Sequence, residues 1–171
     1  RASLSTKWEV PRDKKVYLTL CLDEPRKNIA TFFRIAKELP DSIFIRVGEL
    51  TTWMERFLVD HEITNVRHYN KLPLIDIREL YNLSDALVYT SYLEGFGYPP
   101  LEAMACGTQV IASNTSAMRE NLKGVAQLVD HPDSVDEFVS AINMATISPV
   151  SRITMMEHIQ KFSLEVFSQK L

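Results

Sequence analysis

Two turns of the sequence combine charged side chains with the backbone features that bind anions. The first covers residues 23–28 (DEPRKN), in which Arg26 and Lys27 stand immediately before a predicted helix. The unpaired N–H groups at the start of a helix attract negative charge, and two cationic side chains beside them strengthen that attraction. A diphosphate would fit this turn. Taken alone, however, the hexapeptide is better explained as a solvated charged turn that begins a helix.

The second turn covers residues 94–102 (EGFGYPPLE), between a predicted strand and a predicted helix. Gly95 and Gly97 carry no side chain, so a ligand can approach the main chain closely there. The two prolines that follow suit the first turn of a helix, whose dipole contributes about half a positive charge. The exposed backbone N–H groups and this charge together predict a site for a phosphate or a sugar hydroxyl.

Glu94 and Glu102 flank this turn with two carboxylates. An ionised carboxylate only accepts hydrogen bonds, so the pair suits a ligand that carries several hydroxyl groups. Two glutamates at this separation also occur by chance, and Glu102 lies where a carboxylate would complement the dipole of its own helix. The setting of strand, turn and helix favours the binding interpretation.

Other kinds of site lack their sequence patterns. The four histidines stand in no HExxH motif and near no CxxC pair, and there is no Asp-x-Asp pair, so we expect neither zinc nor a carboxylate-held Mg²⁺ or Mn²⁺. The GxGxxG, GxxxxGK[ST] and GxSxG patterns are also absent, which argues against dinucleotide, P-loop and nucleophile-elbow sites. A net charge of −3 argues against a nucleic-acid partner.

Short β-branched or aromatic runs alternate with longer helical patterns along the chain. This alternation predicts an α/β fold, a Rossmann-like doubly wound parallel sheet of about six strands with helices on both faces. The predicted strands are residues 16–22, 42–48, 66–69, 86–91, 109–112 and 125–129. The predicted helices are residues 29–39, 52–61, 75–82, 99–106, 117–122 and 133–147, followed by a long C-terminal helix within 150–171.

These elements determine where both turns lie. In a parallel sheet, ligands bind beyond the carboxyl ends of the strands, and each turn follows a predicted strand. We expect Asp133 to cap the helix over 133–147. The apolar face predicted for the last helix consists of Ile153, Met156, Ile159 and Phe162.

Size and composition suit a single soluble domain. The 171 residues are enough to bury roughly two-thirds of the unfolded surface without disulfides. Cys21 and Cys106 lie far apart in apolar surroundings, so we expect reduced thiols and a cytoplasmic protein. No apolar run approaches the roughly 18 residues of a membrane span. The first residue is arginine rather than methionine, which suggests a fragment or a trimmed chain.

Several segments resemble the retaining family 4 glycosyltransferases, which have the GT-B fold. EGFGYPPLEAMACGTQVIAS is similar to the signature of that family, with Glu94 and Glu102 as its Glu-x7-Glu motif. DEPRKN resembles the phosphate turn of the family's mannosyltransferases, LYNLSDALVYTSYLEGFG resembles the run into the motif, and FSLEVFSQKL resembles the closing helix. The resemblance extends from about Val16 to the end of the chain. It implies a C-terminal, donor-binding domain over residues 1–171, without the N-terminal acceptor domain.

The resemblance also implies roles for the matched side chains. Glu94 would be the catalytic contact to the donor sugar near the reacting centre, and Glu102 would bind the ribose hydroxyls. Lys27 would hold the diphosphate, with Arg26 assisting. The implied reaction transfers a sugar from a nucleotide diphosphate to a hydroxyl with retention at the anomeric carbon. We expect it to need no metal or other cofactor.

The remaining implied contacts involve the main chain and the base. Lys71 and Leu72, after the third strand, would border the base. The implied partners are a nucleotide-diphosphate sugar, with GDP-mannose preferred, and the acceptor domain of the same enzyme. Contact with the inner face of a membrane is expected only through that missing domain. The backbone N–H groups expected to meet the sugar and the distal phosphate belong to Phe96, Gly97 and Tyr98.

One departure from the family pattern leaves alternatives open. Where the family usually has Gly-Arg or Ser-Arg before the phosphate turn, this chain has Leu20-Cys21, so a small residue and a guanidinium are missing. Either Arg26 supplies the charge, or the chain is a non-catalytic binding or regulatory module with a degenerate phosphate site. A nucleotide-sugar epimerase has a similar fold. A phosphoacceptor receiver domain would need an acidic pocket where this chain has Thr90, Ser91 and glycines.

Overall fold

A parallel sheet of six strands forms the centre of the protein, as the alternating sequence pattern predicts. The computed structural model describes residues 2–162, apart from the side chain of Ser116. The strands are Val16–Leu20 (β1), Ile43–Val47 (β2), Val66–Tyr69 (β3), Ala86–Tyr89 (β4), Gln109–Ser113 (β5) and Gln127–Val129 (β6). Across the sheet they lie in the order β3-β2-β1-β4-β5-β6.

Helices connect the strands and cover both faces of the sheet. Pro25–Lys27 forms a single 3-10 turn after β1. The helices are Ala2–Lys7 (α1), Ile29–Glu38 (α2), Thr52–Asp60 (α3), Leu74–Leu83 (α4), Tyr98–Ala105 (α5), Ser116–Leu122 (α6), Val135–Ile147 (α7) and Arg152–Gln160 (α8).

Each face of the sheet has its own apolar core. Helices α2, α3 and α7 pack on one face and contribute Phe32, Met54 and Phe138 to its core. Helices α4, α5, α6 and α8 pack on the other face, where Leu80 and Met104 are fully buried. Because both faces are covered, β1, β2, β4 and β5 are largely buried along their length, whereas the edge strand β3 is only half-buried.

The order of the strands places a crevice between β1 and β4. From β1 the chain adds β2 and β3 on one side, then crosses to add β4, β5 and β6 on the other side. Where the connections of two neighbouring strands run to opposite sides, a crevice opens beyond their carboxyl ends. Both turns identified in the sequence lie there, because residues 23–28 follow β1 and residues 94–102 follow β4.

The structure corrects the predicted cap of α7. Ser134, rather than Asp133, is the capping residue, since its Oγ accepts a hydrogen bond from the N–H of Glu137 at 3.3 Å. Asp133 instead accepts a hydrogen bond from the hydroxyl of Tyr92. Both residue types cap helices well, so the sequence alone did not distinguish these neighbours.

The predicted apolar face of the last helix is wrong in two positions. Ile153 and Met156 are exposed, whereas Met155 and His158 are the buried residues of α8. The helix ends at Gln160, and residues 163–171 of the predicted C-terminal helix lie outside the described residues.

Candidate functional site

Lys27 and Glu94 form a buried ion pair in the crevice between β1 and β4. Nζ of Lys27 donates to Oε1 of Glu94 at 2.7 Å, and the two side chains are only 10% and 7% exposed. The same Nζ donates to the hydroxyl oxygen of Tyr89 at 3.3 Å. Water screens such a buried pair much less than a surface pair. The crevice therefore holds one cation and one anion in a defined arrangement.

Arg26 adds a second cation at the mouth of the crevice. Its Nη1 donates to Oε2 of Glu94 and to the carbonyl of Leu93, both at 3.2 Å. Its Nη2 lies 2.6 Å from Oε2 of Glu24. Each cation of the 23–28 turn thus contacts a carboxylate of the protein. An incoming anion must compete with these carboxylates for the two cations.

Hydrogen bonds from the end of β4 hold the 23–28 turn in place. Oγ1 of Thr90 donates to the carbonyls of Lys27 and Asn28, at 3.1 and 2.9 Å. The N–H of Tyr92 donates to the carbonyl of Arg26 at 2.7 Å. Asn28 has a φ of 49°, a left-handed conformation that asparagine tolerates better than most residues. These bonds fix both cationic residues relative to the segment that carries Glu94.

The environment of Glu94 keeps its carboxyl group ionised. Burial alone would raise the pKa of Glu94, but hydrogen bonds from Lys27, Ser91 and Tyr89 outweigh it and lower the pKa below its ordinary value of 4.5. Burial and the nearby charge of Glu94 raise the pKa of Tyr89 far above its ordinary value. At neutral pH Glu94 is therefore an acceptor, and Tyr89 remains a hydroxyl donor.

The turn after Glu94 lines the same crevice with backbone amides. Within residues 2–162, the N–H groups of Phe96, Gly97 and Tyr98 donate to no backbone carbonyl. Tyr98 begins α5, and the N-terminus of a helix carries about half a positive charge. Nδ2 of Asn121 donates to the carbonyl of Phe96 at 2.7 Å, which fixes the orientation of the turn.

Gly95 and Gly97 are glycine for different structural reasons. A Cβ atom added to Gly95 would meet no heavy atom within 4 Å, so this position faces open space. Gly97 has a φ of 89°, and an added Cβ would lie 2.0 Å from Cε of Met118. The fold therefore requires glycine at position 97, whereas at position 95 the open space lets a ligand reach the main chain.

A cavity of about 460 Å³ connects the cations, the carboxylate and the amides. Its volume is within the roughly 300–1,000 Å³ of typical small-molecule sites. The wall consists of the end of β1, the 23–28 turn and the glycine turn, through residues Leu20, Cys21, Leu22, Arg26, Lys27, Tyr89, Glu94, Gly95, Phe96, Gly97, Tyr98 and Pro99.

Two further hollows adjoin this cavity and contain the other predicted residues. One, of about 350 Å³, is lined by Glu102 and shares Leu20 with the cavity. The other, of about 470 Å³, is lined by Lys71 and Leu72 and shares Cys21 with the cavity. All residues that the sequence analysis assigned to the site therefore lie at one edge of the sheet. They line the cavity and the two hollows that adjoin it.

The Leu20-Cys21 departure lies where these spaces meet. Cys21 is half-buried, and burial raises the pKa of its thiol above the ordinary 9.0, so the group is protonated at neutral pH. Behind it, Nη2 of the fully buried Arg46 donates to the carbonyl of Cys21 at 3.2 Å. Nη1 of Arg46 donates to the carbonyl of Glu49 at 2.7 Å. A guanidinium from β2 therefore supports the end of β1.

Sequence reasoning missed several residues that shape the site. Tyr81 and Tyr89 contact the predicted site residues Glu102 and Lys27, and Arg46 contacts the backbone of Cys21. Aromatic residues such as these two tyrosines are common in protein cores, and an arginine in a strand is usually exposed. No local signal distinguished them.

The described part of the chain contains neither a metal-binding cluster nor a membrane-spanning helix. Residues 2–162 contain no group of three or more His, Cys, Asp or Glu side chains arranged to hold a metal ion. No helix among them is long and apolar enough to cross a membrane.

Comparison with known sequences identifies relatives of the chain. A sequence model of the family described as "Glycosyl transferases group 1" matches residues 1–161. The chain is 34% identical over 131 residues to the O-antigen chain mannosyltransferase RfbU of Salmonella typhimurium. That alignment covers 74% of this chain and 37% of the relative, so the chain spans just over a third of the relative's length.

Solved structures share the fold. Sucrose-phosphate synthase from Thermosynechococcus elongatus superposes with a TM-score of 0.85 at 22% identity, over 99% of this chain and 47% of that one. Alr3699/HepE of Anabaena, solved in complex with UDP and glucose, superposes with a TM-score of 0.81 at 19% identity, over 98% and 51% of the two chains. The chain corresponds to about half of each of these proteins.

Proposed function

Since the chain belongs to the group 1 glycosyl transferases, we propose that it is the donor-binding domain of a retaining, metal-independent sugar transferase. The donor is a nucleotide-diphosphate sugar, and the acceptor hydroxyl is held by a second, N-terminal domain of the same enzyme. One observation carries the proposal: the buried Lys27–Glu94 pair lies at the reversal of strand order, beside the amides of the glycine turn.

The three adjoining spaces suit the three parts of such a donor. The base occupies the hollow beside Lys71 and Leu72, and the ribose occupies the hollow beside Glu102. The diphosphate and the sugar occupy the cavity that contains Lys27 and Glu94. Because these spaces share wall residues, a single extended molecule can span them.

The chemistry follows from the charges in the cavity. The bond between the anomeric carbon and the distal phosphate oxygen breaks, and the acceptor oxygen bonds to the same face of the sugar while the proton of its hydroxyl passes to the leaving phosphate. Negative charge grows on the leaving diphosphate, where Lys27, Arg26 and the start of α5 stabilise it. Removing one such donor typically reduces the rate about 100- to 1,000-fold. Because these groups supply the positive charge, the proposal requires no metal ion.

Glu94 changes its partner in this scheme. When Lys27 binds the diphosphate, the Glu94 carboxylate becomes available to accept hydrogen bonds from the sugar hydroxyls. Its depressed pKa keeps it ionised for that role. A mannose donor is supported by the relatives named as O-antigen mannosyltransferases.

Titration calorimetry with GDP, UDP and ADP tests the donor site. We expect at least one nucleotide to bind with a dissociation constant below about 1 mM, and Lys27→Met to weaken that binding about 100-fold or more. Lys14→Met is the matched control, because Lys14 precedes β1 at the opposite edge of the sheet. Absence of binding by all three nucleotides would refute the proposal.

A non-catalytic nucleotide-sugar module is the second candidate, and the Leu20-Cys21 departure favours it. A degenerate phosphate site predicts that the double variant Leu20→Gly, Cys21→Arg binds nucleotide at least tenfold more tightly. An intact site predicts unchanged or weaker binding. A nucleotide-sugar epimerase would release free sugar, so product analysis with a hydroxyl acceptor separates that activity from transfer.

A further inference from the structure

The hollow beside Glu102 contains a buried tyrosine whose hydroxyl reaches the carboxylate. Tyr81 lies on α4 and is 2% exposed, while Glu102 is exposed on α5. The Tyr81 hydroxyl donates to Oε2 of Glu102 at 2.8 Å, and both residues line the same space of about 350 Å³. A core tyrosine therefore contacts a surface carboxylate at a binding hollow.

This contact restrains an otherwise mobile side chain. A solvent-exposed glutamate samples several rotamers, and ordering it on ligand binding costs conformational entropy. The hydroxyl of Tyr81 donates to one oxygen of the carboxylate, and no group within residues 2–162 donates to the other oxygen. Tyr81 is itself held firmly, because Oγ1 of the buried Thr108 donates to its carbonyl at 2.6 Å.

Tyr81 is a hydrogen-bond donor at neutral pH. Burial and the charge of Glu102 raise the pKa of its hydroxyl far above the ordinary value. The carboxylate of Glu102 thus meets a hydroxyl donor on the core side, and it lines the hollow on its other side. A vicinal diol offers two donors that match such a carboxylate.

We propose that Tyr81 is a positioning residue that holds Glu102 ready for the ribose diol of the nucleotide. This inference rests on the proposed function, because it assumes that the ribose enters the Glu102 hollow. Tyr81 touches no substrate atom in this scheme, so its effect passes through Glu102.

The affinities for a nucleotide and for its form without the ribose diol separate a positioning role of Tyr81 from a general structural role. Titration uses the diphosphate among GDP, UDP and ADP that binds most tightly, together with its 2′,3′-dideoxy form. We expect Tyr81→Phe to weaken binding of the normal nucleotide about tenfold, as for the loss of one hydrogen bond to a charged group. Binding of the dideoxy form, which lacks the diol, should remain as in the wild type.

Further variants secure this comparison. Tyr17→Phe removes another buried tyrosine hydroxyl, beside a hollow at the opposite edge of the sheet, and should change neither affinity. Glu102→Asp retains the charge but withdraws it from Tyr81 by one methylene, without disturbing the core. It also withdraws the carboxylate from the diol, so we expect its loss to equal or exceed that of Tyr81→Phe. Tyr81→Phe added to Glu102→Gln should cause no further loss, because its effect passes through Glu102, and a further loss would indicate a general structural role.

The reference variant Glu102→Gln distinguishes the two levels of the proposal. If Glu102→Gln weakens both nucleotides equally, or if no nucleotide binds, the ribose assignment fails and the inference fails with it. If Glu102→Gln discriminates between the nucleotides but Tyr81→Phe binds both as the wild type does, only the positioning role is overturned.

Discussion

Nζ of Lys27 lies 2.7 Å from Oε1 of Glu94, although 67 residues separate them in the sequence. The two residues follow different strands, β1 and β4, which are neighbours only because the sheet reverses its order there. Both side chains are largely buried, so each charge depends on the other for compensation. The fold thus holds a cation and an anion in contact at the crevice where a ligand would enter.

Loss of Lys27 should destabilise the fold through Glu94. We expect Lys27→Met to lower the free energy of unfolding by about 2–4 kcal/mol, because a largely buried carboxylate loses its nearest cation. Adding Glu94→Gln should recover about 1 kcal/mol or more, since it removes a buried charge that then has only the exposed Arg26 as a cationic partner. Urea denaturation of the two single variants and the double variant measures the coupling.

The exposed pair of Lys14 and Asp41 provides the control for that cycle. Its Nζ–Oδ1 distance is 3.1 Å and the Asp41 side chain is 99% exposed, so the coupling should stay below about 1 kcal/mol. Equal coupling energies in the two cycles would show that burial does not strengthen the Lys27–Glu94 pair.

Glu94 should oppose the binding of a nucleoside diphosphate that carries no sugar. The carboxylate repels the phosphates and holds Lys27, so Glu94→Gln should tighten the binding of the bare diphosphate by about tenfold. Sugar transfer by an enzyme with both domains should fall in the same variant, because a neutral amide stabilises an oxocarbenium-like transition state less well. Calorimetry checks the first expectation and an initial-rate assay the second. Weaker binding of the bare diphosphate would contradict this exchange of partners.

The stability that Glu94 contributes should depend on pH only in the acid range. Its pKa in the folded protein lies below the ordinary 4.5, so the contribution is fully present above the unfolded pKa and is lost as pH falls through the folded pKa. We expect the difference in unfolding free energy between the wild type and Glu94→Gln to be constant from about pH 6 to 8 and to shrink below about pH 4.5. Urea denaturation across this range measures it. A difference that changes between pH 6 and 8 would mean that another group controls the pair.

The sequence predicted the fold because local patterns carry that information. Apolar runs of strand length alternate with helical periodicity, and all six predicted strands are present in the structure. The two turns were also recognisable, since glycine, proline and charged residues mark them locally. Lys71 and Leu72 were assigned to the site only by the family resemblance, and they lie after β3 at the same edge of the sheet.

Long-range contacts could not be predicted in the same way. Arg46 interrupts an apolar strand and would be expected to face solvent, yet it is fully buried behind Cys21. The helical pattern did not indicate α1, whose position is reinforced by the edge contact between Trp8 and Tyr69, with centroids 5.1 Å apart. The hydrogen bond of Tyr81 to Glu102 joins two helices that are separate in sequence. Such contacts depend on how the elements pack, which single-sequence patterns do not encode.

Gly95 and Gly97 should respond differently to the same substitution. Gly95→Ala should leave the melting temperature unchanged, because its Cβ meets no protein atom within 4 Å, but it should weaken nucleotide-sugar binding by obstructing the main chain. Gly97→Ala should lower the unfolding free energy by about 1–3 kcal/mol, through left-handed strain and the clash with Met118. Thermal denaturation and titration of both variants test this contrast. A destabilised Gly95→Ala variant with normal binding would contradict the assignment.

Gly48 should be required for the support that Arg46 gives to the end of β1. Its φ is 145°, and an added Cβ would lie 2.2 Å from the carbonyl oxygen of Cys21 and 3.0 Å from Nη2 of Arg46. We expect Gly48→Ala to displace that carbonyl and to lower the unfolding free energy by about 2–4 kcal/mol, because a backbone clash relaxes only by moving the strand end. Nucleotide binding should weaken as well, since Cys21 lines two of the three spaces.

Gly124→Ala is the control for this substitution. Gly124 also has a positive φ, of 80°, but a Cβ there would meet nothing within 4 Å. It should therefore cost only the roughly 1–2 kcal/mol of a left-handed alanine and leave nucleotide binding intact. Urea denaturation and calorimetry of both variants compare strain alone with strain plus collision. If the two variants lose equal stability and bind nucleotide equally well, the site does not depend on the close approach of Gly48 to the Cys21 carbonyl, because the added Cβ then has no consequence beyond backbone strain.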